Sequence, residues 1–167
     1  ALEAISLDIR EEIGELEHII AVAKQAEFQH LDVKVEKLVD TVDEIISEDE
    51  EQKIIIFTEF VATQQYLQNL LVSKGYSVSI LNGSMNIDER NEALRVFRER
   101  ANIFISTDAG GEGLNLQFSN IIINYDLPWN PMKIEQRCGR ADRIEKKRDV
   151  HIYNFTSIID DLLFRNH

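Results

Sequence analysis

Cysteine occurs once, as Cys138. No internal disulfide can form, and the chain suits a reducing compartment. Proline occurs twice, at Pro128 and Pro131, and glycine only seven times, so a collagen-like or linker-dominated chain is excluded. No apolar run approaches the roughly 20 residues that cross a bilayer, and no membrane partner is expected. The N-terminus is acidic and amphipathic rather than basic and then apolar, unlike a secretory leader. The expected location is therefore cytoplasmic or nuclear, with cytoplasmic preferred. The four histidines, His18, His30, His151 and His167, include no pair at metal-ligand spacing, and no metal site is expected. Two further absences concern nucleotides. There is no G-x-x-x-x-G-K-S/T phosphate loop, and no strand ends in an Asp-Glu pair suited to hold Mg²⁺.

What is present is one domain's worth of chain, 167 residues, long enough to bury a sizeable core. A net charge of −12 argues against non-specific nucleic-acid affinity of the whole chain. That charge is unevenly placed. Residues 1–52 carry 16 acidic and 4 basic side chains, whereas from Lys53 onward there are 14 of each. Within the balanced part, Lys133, Arg137, Arg140, Arg143, Lys146, Lys147 and Arg148 outnumber the interleaved acids and form a local basic strip.

Apolar residues in Leu2–Phe28 recur every three or four positions, as in an amphipathic helix, and Leu31–Ser47 repeats the pattern. These two helices define an expected acidic lead-in, residues 1–52, that packs on a lobe formed by residues 53–167. From Lys53 the pattern changes. Short β-branched runs at Ile54–Thr58, Val78–Leu81, Ile103–Ser106, Ile121–Asn124 and His151–Phe155 alternate with helical stretches near Ala62–Lys74, Asp88–Arg100 and Met132–Ile144. This alternation predicts an α/β fold: a parallel β-sheet with helices on both faces, preceded by two amphipathic helices.

In such sheets ligands bind beyond the carboxyl ends of the strands. The segments there are Thr58-Glu59-Phe60, Asn82-Gly83-Ser84, the stretch from Thr107 through Gly110 and Gly111 to Asn115, and the turn Asp126–Pro131. Ser84, Thr107 and the Gly110-Gly111 pair can offer backbone N–H groups and small donors to phosphate. The helix expected after the proline turn carries Gln136, Arg140 and Arg143 at spacings that share a face. Guanidinium forks suit phosphate oxygens, and Gly139 beside Arg140 would permit close approach. Arginines without a phosphate loop suggest a domain that completes a nucleotide site built elsewhere.

At these residues the sequence resembles a known family. KIIIFTEF, LNGSMNIDERNEALRVF, ISTDAGGEGLNLQ, NYDLPWNP and EQRCGRADRI look like the ordered motifs of the C-terminal RecA-like lobe of superfamily-two helicase-like ATPases. The DLPWNP turn followed by QRCGRADRI is most similar to the Swi/Snf-related branch, especially bacterial and archaeal members akin to the RNA-polymerase-associated ATPase. The resemblance covers about Asp32 to Thr156. Two departures stand out: Ile144 leads into Glu145-Lys146-Lys147 where relatives often read RIGQ, and Glu112 is an uncommon residue in its loop.

The resemblance implies a RecA-like lobe acting in a two-lobe ATP hydrolase of helicase or translocase type. Arg140 and Arg143 match the arginines that reach ATP, and Gln136 matches the glutamine coupling that site to the lobe interface. Gly113 and Asn115 fall where relatives contact the nucleotide. Thr58, Gly83, Ser84, Thr107, Gly110 and Gly111 match motifs that face nucleic acid, with the role of Thr58 partly structural. ATP with Mg²⁺ would be held mainly by an N-terminal RecA-like lobe absent from this chain, so the chain alone is expected to be inactive. Double-stranded DNA is preferred over RNA as partner, translocation over strand separation, and a protein complex under remodelling is a further partner class. Two other readings stay open: a stand-alone nucleic-acid or protein binding module, and a small-molecule α/β enzyme using the same strand edge.

Overall fold

The computed structural model describes residues 13, 15–18, 33–111, 113–141 and 149–156. The chain divides into two compact units, Ala1–Asp40 and Thr41–His167. In the first, residues 13 and 15–18 are helical, and the rest of the helix expected over Leu2–Phe28 lies outside the described residues. Helix α1 spans residues 33–48; Val35, Leu38 and Val39 are its buried positions in the first unit, Thr41, Val42 and Ile45 in the second.

The second unit is built on a five-stranded parallel sheet, β1 (Ile54–Thr58), β2 (Val78–Leu81), β3 (Ile103–Thr107), β4 (Ile121–Asn124) and β5 (His151–Asn154), in the order β2-β3-β1-β4-β5. The unbroken apolar runs explain the centre. All five residues of β1, all five of β3 and all four of β4 are buried, as strands covered on both faces must be. Ile54 pairs in register with Ile103 on one side and Ile121 on the other. β5 is the outer strand beside β4, and its four residues are exposed.

Helix α2 (Val61–Ser73) carries the chain from β1 to β2, and α3 (Ile87–Glu99) carries it back to β3. These connections cross the sheet in opposite directions, so right-handed crossovers put the two helices on opposite faces. On the α3 face, Ile55, Phe57, Phe104 and Ile122 pack with Ala93 and Phe97. Phe97 stacks on Phe104 at 4.8 Å and tilts against Phe118 at 5.1 Å. The start of α3 is fixed by a capping box, Asn86 accepting from the Glu89 N–H and Glu89 from the Asn86 N–H. A short helix, α4 (Asp108–Gly111), follows β3, and α5 (Pro131–Cys138) follows β4.

Candidate functional site at the carboxyl edge of the sheet

Four strand ends meet at this edge, and each is tied to its neighbour. After β1, the Thr58 hydroxyl donates to Asp126 Oδ2 at 2.5 Å, and the Glu59 N–H donates to the same oxygen at 3.3 Å. Asp126 follows β4, so one carboxylate staples two loops. Thr58 is fully buried in this arrangement.

After β2, Asn82 Oδ1 accepts from both the N–H and the hydroxyl of Ser84, at 3.2 and 2.7 Å. Its Nδ2 donates to Gln64 Oε1 at 3.1 Å. Gln64, fully buried on α2, in turn donates to the carbonyls of Leu81 and Ile105, both at 2.8 Å. After β3, Thr107 is buried and its Oγ1 accepts from the Gly110 N–H at 3.3 Å. A Cβ on Gly110 would lie 2.7 Å from Asn82 Cα and 2.7 Å from the Leu81 carbonyl oxygen. The loops after β2 and β3 are thus in backbone contact, and Arg90 holds them there by donating to the Gly110 carbonyl at 2.8 Å. Gly83 and Ser84 are exposed beside this contact, and Gly111 closes α4.

The turn after β4 behaves as its prolines suggest. Asn130 caps α5 by accepting from the Met132 N–H at 3.0 Å, with Pro131 in the first turn where no N–H is needed. Helix α5 is shorter than the expected Met132–Ile144. It ends at Cys138, and the Arg140 and Ala141 N–H groups turn back to Arg137 and Cys138 at 3.3 and 3.1 Å. The Arg140 carbonyl accepts from the Leu116 N–H at 3.1 Å. Helical spacing therefore does not bring Gln136 and Arg140 together; a turn does. Residue Arg143 lies outside the described residues.

Between these loops is a cleft of about 290 Å³, lined by Phe57, Glu59, Asp108, Ala109, Lys133, Gln136, Arg137 and Arg140. Gln136 and Arg140 are brought together here. Gly113 and Asn115 sit on the exposed loop after α4, outside this lining, and Asn115 accepts from the Gln117 N–H at 3.2 Å. The basic strip is narrower than its sequence suggests, because Arg137 is only 2% exposed. Its Nε donates to Asp108 Oδ1 at 2.7 Å, and one terminal nitrogen donates to Asn124 Oδ1 at 3.1 Å and the Asp126 carbonyl at 2.8 Å. The other terminal nitrogen lies 2.7 Å from the same Asp108 oxygen but lacks a well-directed hydrogen bond. Lys133 reaches Asp108 Oδ2 at 3.4 Å. Beneath the guanidinium is the Phe57 ring, 5.3 Å away. Nearby, burial and the Asp126 charge push the Tyr125 phenol well above its ordinary range.

Gln64 and Asp108 build this site without having been singled out from the sequence, and Asn82 and Asp126 were noted there only as parts of strand-end loops. Apart from the Asn82–Ser84 turn, the side-chain partners that tie them together are 17 or more residues away along the chain, beyond any local periodicity. Among the described residues, no group of three or more His, Cys, Asp or Glu could hold a metal ion, and no helix is long and apolar enough to cross a membrane.

Comparison with known proteins agrees with the geometry. Residues 34–145 match the family described as the helicase conserved C-terminal domain. The uncharacterized ATP-dependent helicase YqhH of Bacillus subtilis is 50% identical over 107 residues, 64% of this chain and 19% of that protein. RNA polymerase-associated protein RapA of Vibrio cholerae is 36% identical over 106 residues, 61% of this chain and 11% of that protein. The solved C-terminal part of the Fun30 ATPase domain superposes with a TM-score of 0.72 at 28% identity, covering 79% of this chain and 44% of that one. The Escherichia coli DEAD-box protein SrmB gives 0.70 at 26%, covering 80% and 75%. This chain therefore spans less than a fifth of the full-length relatives it matches. With the five-stranded parallel sheet and the cleft at its carboxyl edge, these matches place the chain in the helicase C-terminal domain family, as a RecA-like lobe of the Snf2-related kind.

Proposed function

We propose that this lobe is the C-terminal half of an ATP-driven helicase or translocase motor, acting on ATP bound by an N-terminal lobe. The observation that carries the reading is the convergence of Gln136 and Arg140 on an open cleft at the carboxyl edge. Closure of the two lobes would bring Arg140, and Arg143 beyond it, to the transferring phosphoryl group. Charge spreads over the equatorial oxygens of that group, where an arginine supplied from outside the phosphate cradle is worth about 10³–10⁵ in rate. Gln136 would sense closure from the end of α5. The metal would stay with the N-terminal lobe.

The loops carrying Gly83, Ser84, Thr107, Gly110 and Gly111 would face the backbone of double-stranded DNA. Contacts of this kind position the duplex without reading its sequence. Thr58, buried and bonded to Asp126, would support the loop from beneath. Residues 1–52 would form the acidic lead-in to the lobe, and Gly113 and Asn115 would border the nucleotide from the exposed loop. Alternating closure and opening would then move these contacts along one strand.

The test uses the complete two-lobe protein. Arg140→Ala is expected to lower DNA-stimulated turnover by about 10³-fold or more while ATP affinity changes only a few-fold. If binding and turnover fall together, Arg140 has a ground-state role and the finger assignment fails.

A further inference from the structure

We infer that Arg137 is a positioning residue that couples the loop after β3 to the Gln136 and Arg140 element. The inference rests on the motor reading above, which assigns nucleic-acid contact to the first and nucleotide contact to the second. Its basis is the route of one buried guanidinium through three segments. Arg137 reaches Asp108, the residue after Thr107 and the first of α4; it reaches Asn124 and the Asp126 carbonyl at the end of β4; and it is itself part of α5. In sequence it stands between Gln136, on α5, and Arg140, in the turn that follows, both of which line the cleft. Any displacement of α4 that pulls Asp108 therefore acts on the helix and turn that present them.

Two features argue for coupling beyond simple support. An apolar side chain of similar volume would fill the space over Phe57 without the desolvation cost of a buried charge. A buried guanidinium is expensive scaffolding, yet it can join partners that an apolar group cannot. The pair is also incomplete. Nε and one terminal nitrogen converge on the single oxygen Oδ1 of Asp108, leaving that terminal nitrogen buried without a directed acceptor, while Oδ2 faces Lys133. A small rotation of the Asp108 carboxylate, carried by its loop, would complete a two-oxygen fork. The pair then has different energies in two positions of the loop, which is the requirement for transmitting a bias between sites.

Backbone packing extends the connection. Gly110 sits against Asn82, and Asp126 holds Thr58 and Glu59. Displacement of one strand-end loop is thus shared by the others.

The experiment measures duplex DNA affinity of the complete two-lobe protein by fluorescence anisotropy, with and without a non-hydrolysable ATP analogue. The ratio of the two dissociation constants is the coupling, and allosteric couplings typically span about 5–150-fold. Arg137→Lys keeps the charge but cannot bridge both sides. It is expected to hold nucleotide-free DNA affinity within about threefold while the ratio falls towards one. Asp108→Asn keeps the shape and one acceptor while removing the charge, so an intermediate ratio is expected. An unchanged ratio in Arg137→Lys overturns the inference, as does a parallel loss of both affinities with the ratio intact. Should Arg137→Lys fail to fold, an unchanged ratio in Asp108→Asn overturns it equally. A wild-type ratio of one would instead refute the motor reading itself, and the coupling with it.

Discussion

Replacing Gly110 by alanine tests whether the loops after β2 and β3 are locked together. An added methyl would meet Asn82 Cα at 2.7 Å, the Leu81 carbonyl oxygen at 2.7 Å and the Asn82 nitrogen at 2.9 Å. All three are backbone atoms, so no side chain can rotate away; one loop must move. Forced overpacking of this kind costs about 1–3 kcal/mol. Movement would also stretch the Arg90 bond to the Gly110 carbonyl, 2.8 Å long in the native arrangement. A bond to a charged group contributes about 1.5–3 kcal/mol when buried, and the half-exposed position of Arg90 reduces that to the lower end or below. The expected total is about 2–4 kcal/mol. At roughly 2–4 °C per kcal/mol for a domain of this size, the thermal midpoint should fall by about 5–15 °C. The internal control is Gly139→Ala. Gly139 has helical angles, φ −62° and ψ −11°, and its nearest new contact would be the Glu135 carbonyl oxygen at 3.4 Å. Alanine at such a site is expected to be neutral or stabilising by up to about 1 kcal/mol. Circular dichroism melts of the two variants decide the matter. If Gly110→Ala melts within a degree or two of Gly139→Ala, the loops adjust independently and the locked edge described above is wrong.

Two further perturbations probe the supports of this edge. Gln64→Leu keeps the volume but removes the donor to Leu81 and Ile105 and the acceptor for Asn82; stranding these buried groups should cost about 2–5 kcal/mol in urea unfolding, and a loss under about 1 kcal/mol would mean that water replaces the amide. Tyr76→Phe tests a contact of α1. Partial burial and the hydrogen bond to Asp43 push the Tyr76 phenol up to about 12. Its folded value exceeds the unfolded one, so the contribution is complete below about pH 10 and is lost as pH rises towards 12. The wild type should therefore lose stability across that window relative to Tyr76→Phe; parallel pH profiles would show that the Asp43 contact contributes nothing.

The strands were legible because their signal is local. Uninterrupted runs such as Ile54-Ile55-Ile56 need no partner to be recognised as central, and their observed limits differ from the expected ones by a residue or less. The start of α5 was legible for the same reason, since Asn130 and Pro131 act within two residues of themselves. Its end was not. The apolar and basic periodicity continues past Gly139, whereas residues 139–141 form a turn whose Arg140 carbonyl accepts from the Leu116 N–H, 24 positions earlier.

Arg137 shows the same limit in the chemistry of the site. Read along the chain, it is one more exposed cation in a basic strip, as arginine usually is. Three-dimensional packing sets it over Phe57, surrounds it with Asp108, Asn124 and Asp126, and leaves it 2% exposed. The cation on display in that strip and the cation holding the strip in place are chemically identical in sequence. Only a partner 29 positions upstream separates them. The same holds for Thr58, whose small hydroxyl at a strand end could equally face a phosphate or a carboxylate until Asp126, 68 positions later, takes it. Residue types at this edge thus disclose the class of chemistry, while the allocation of each group between ligand and scaffold is decided by contacts that close only when the sheet forms.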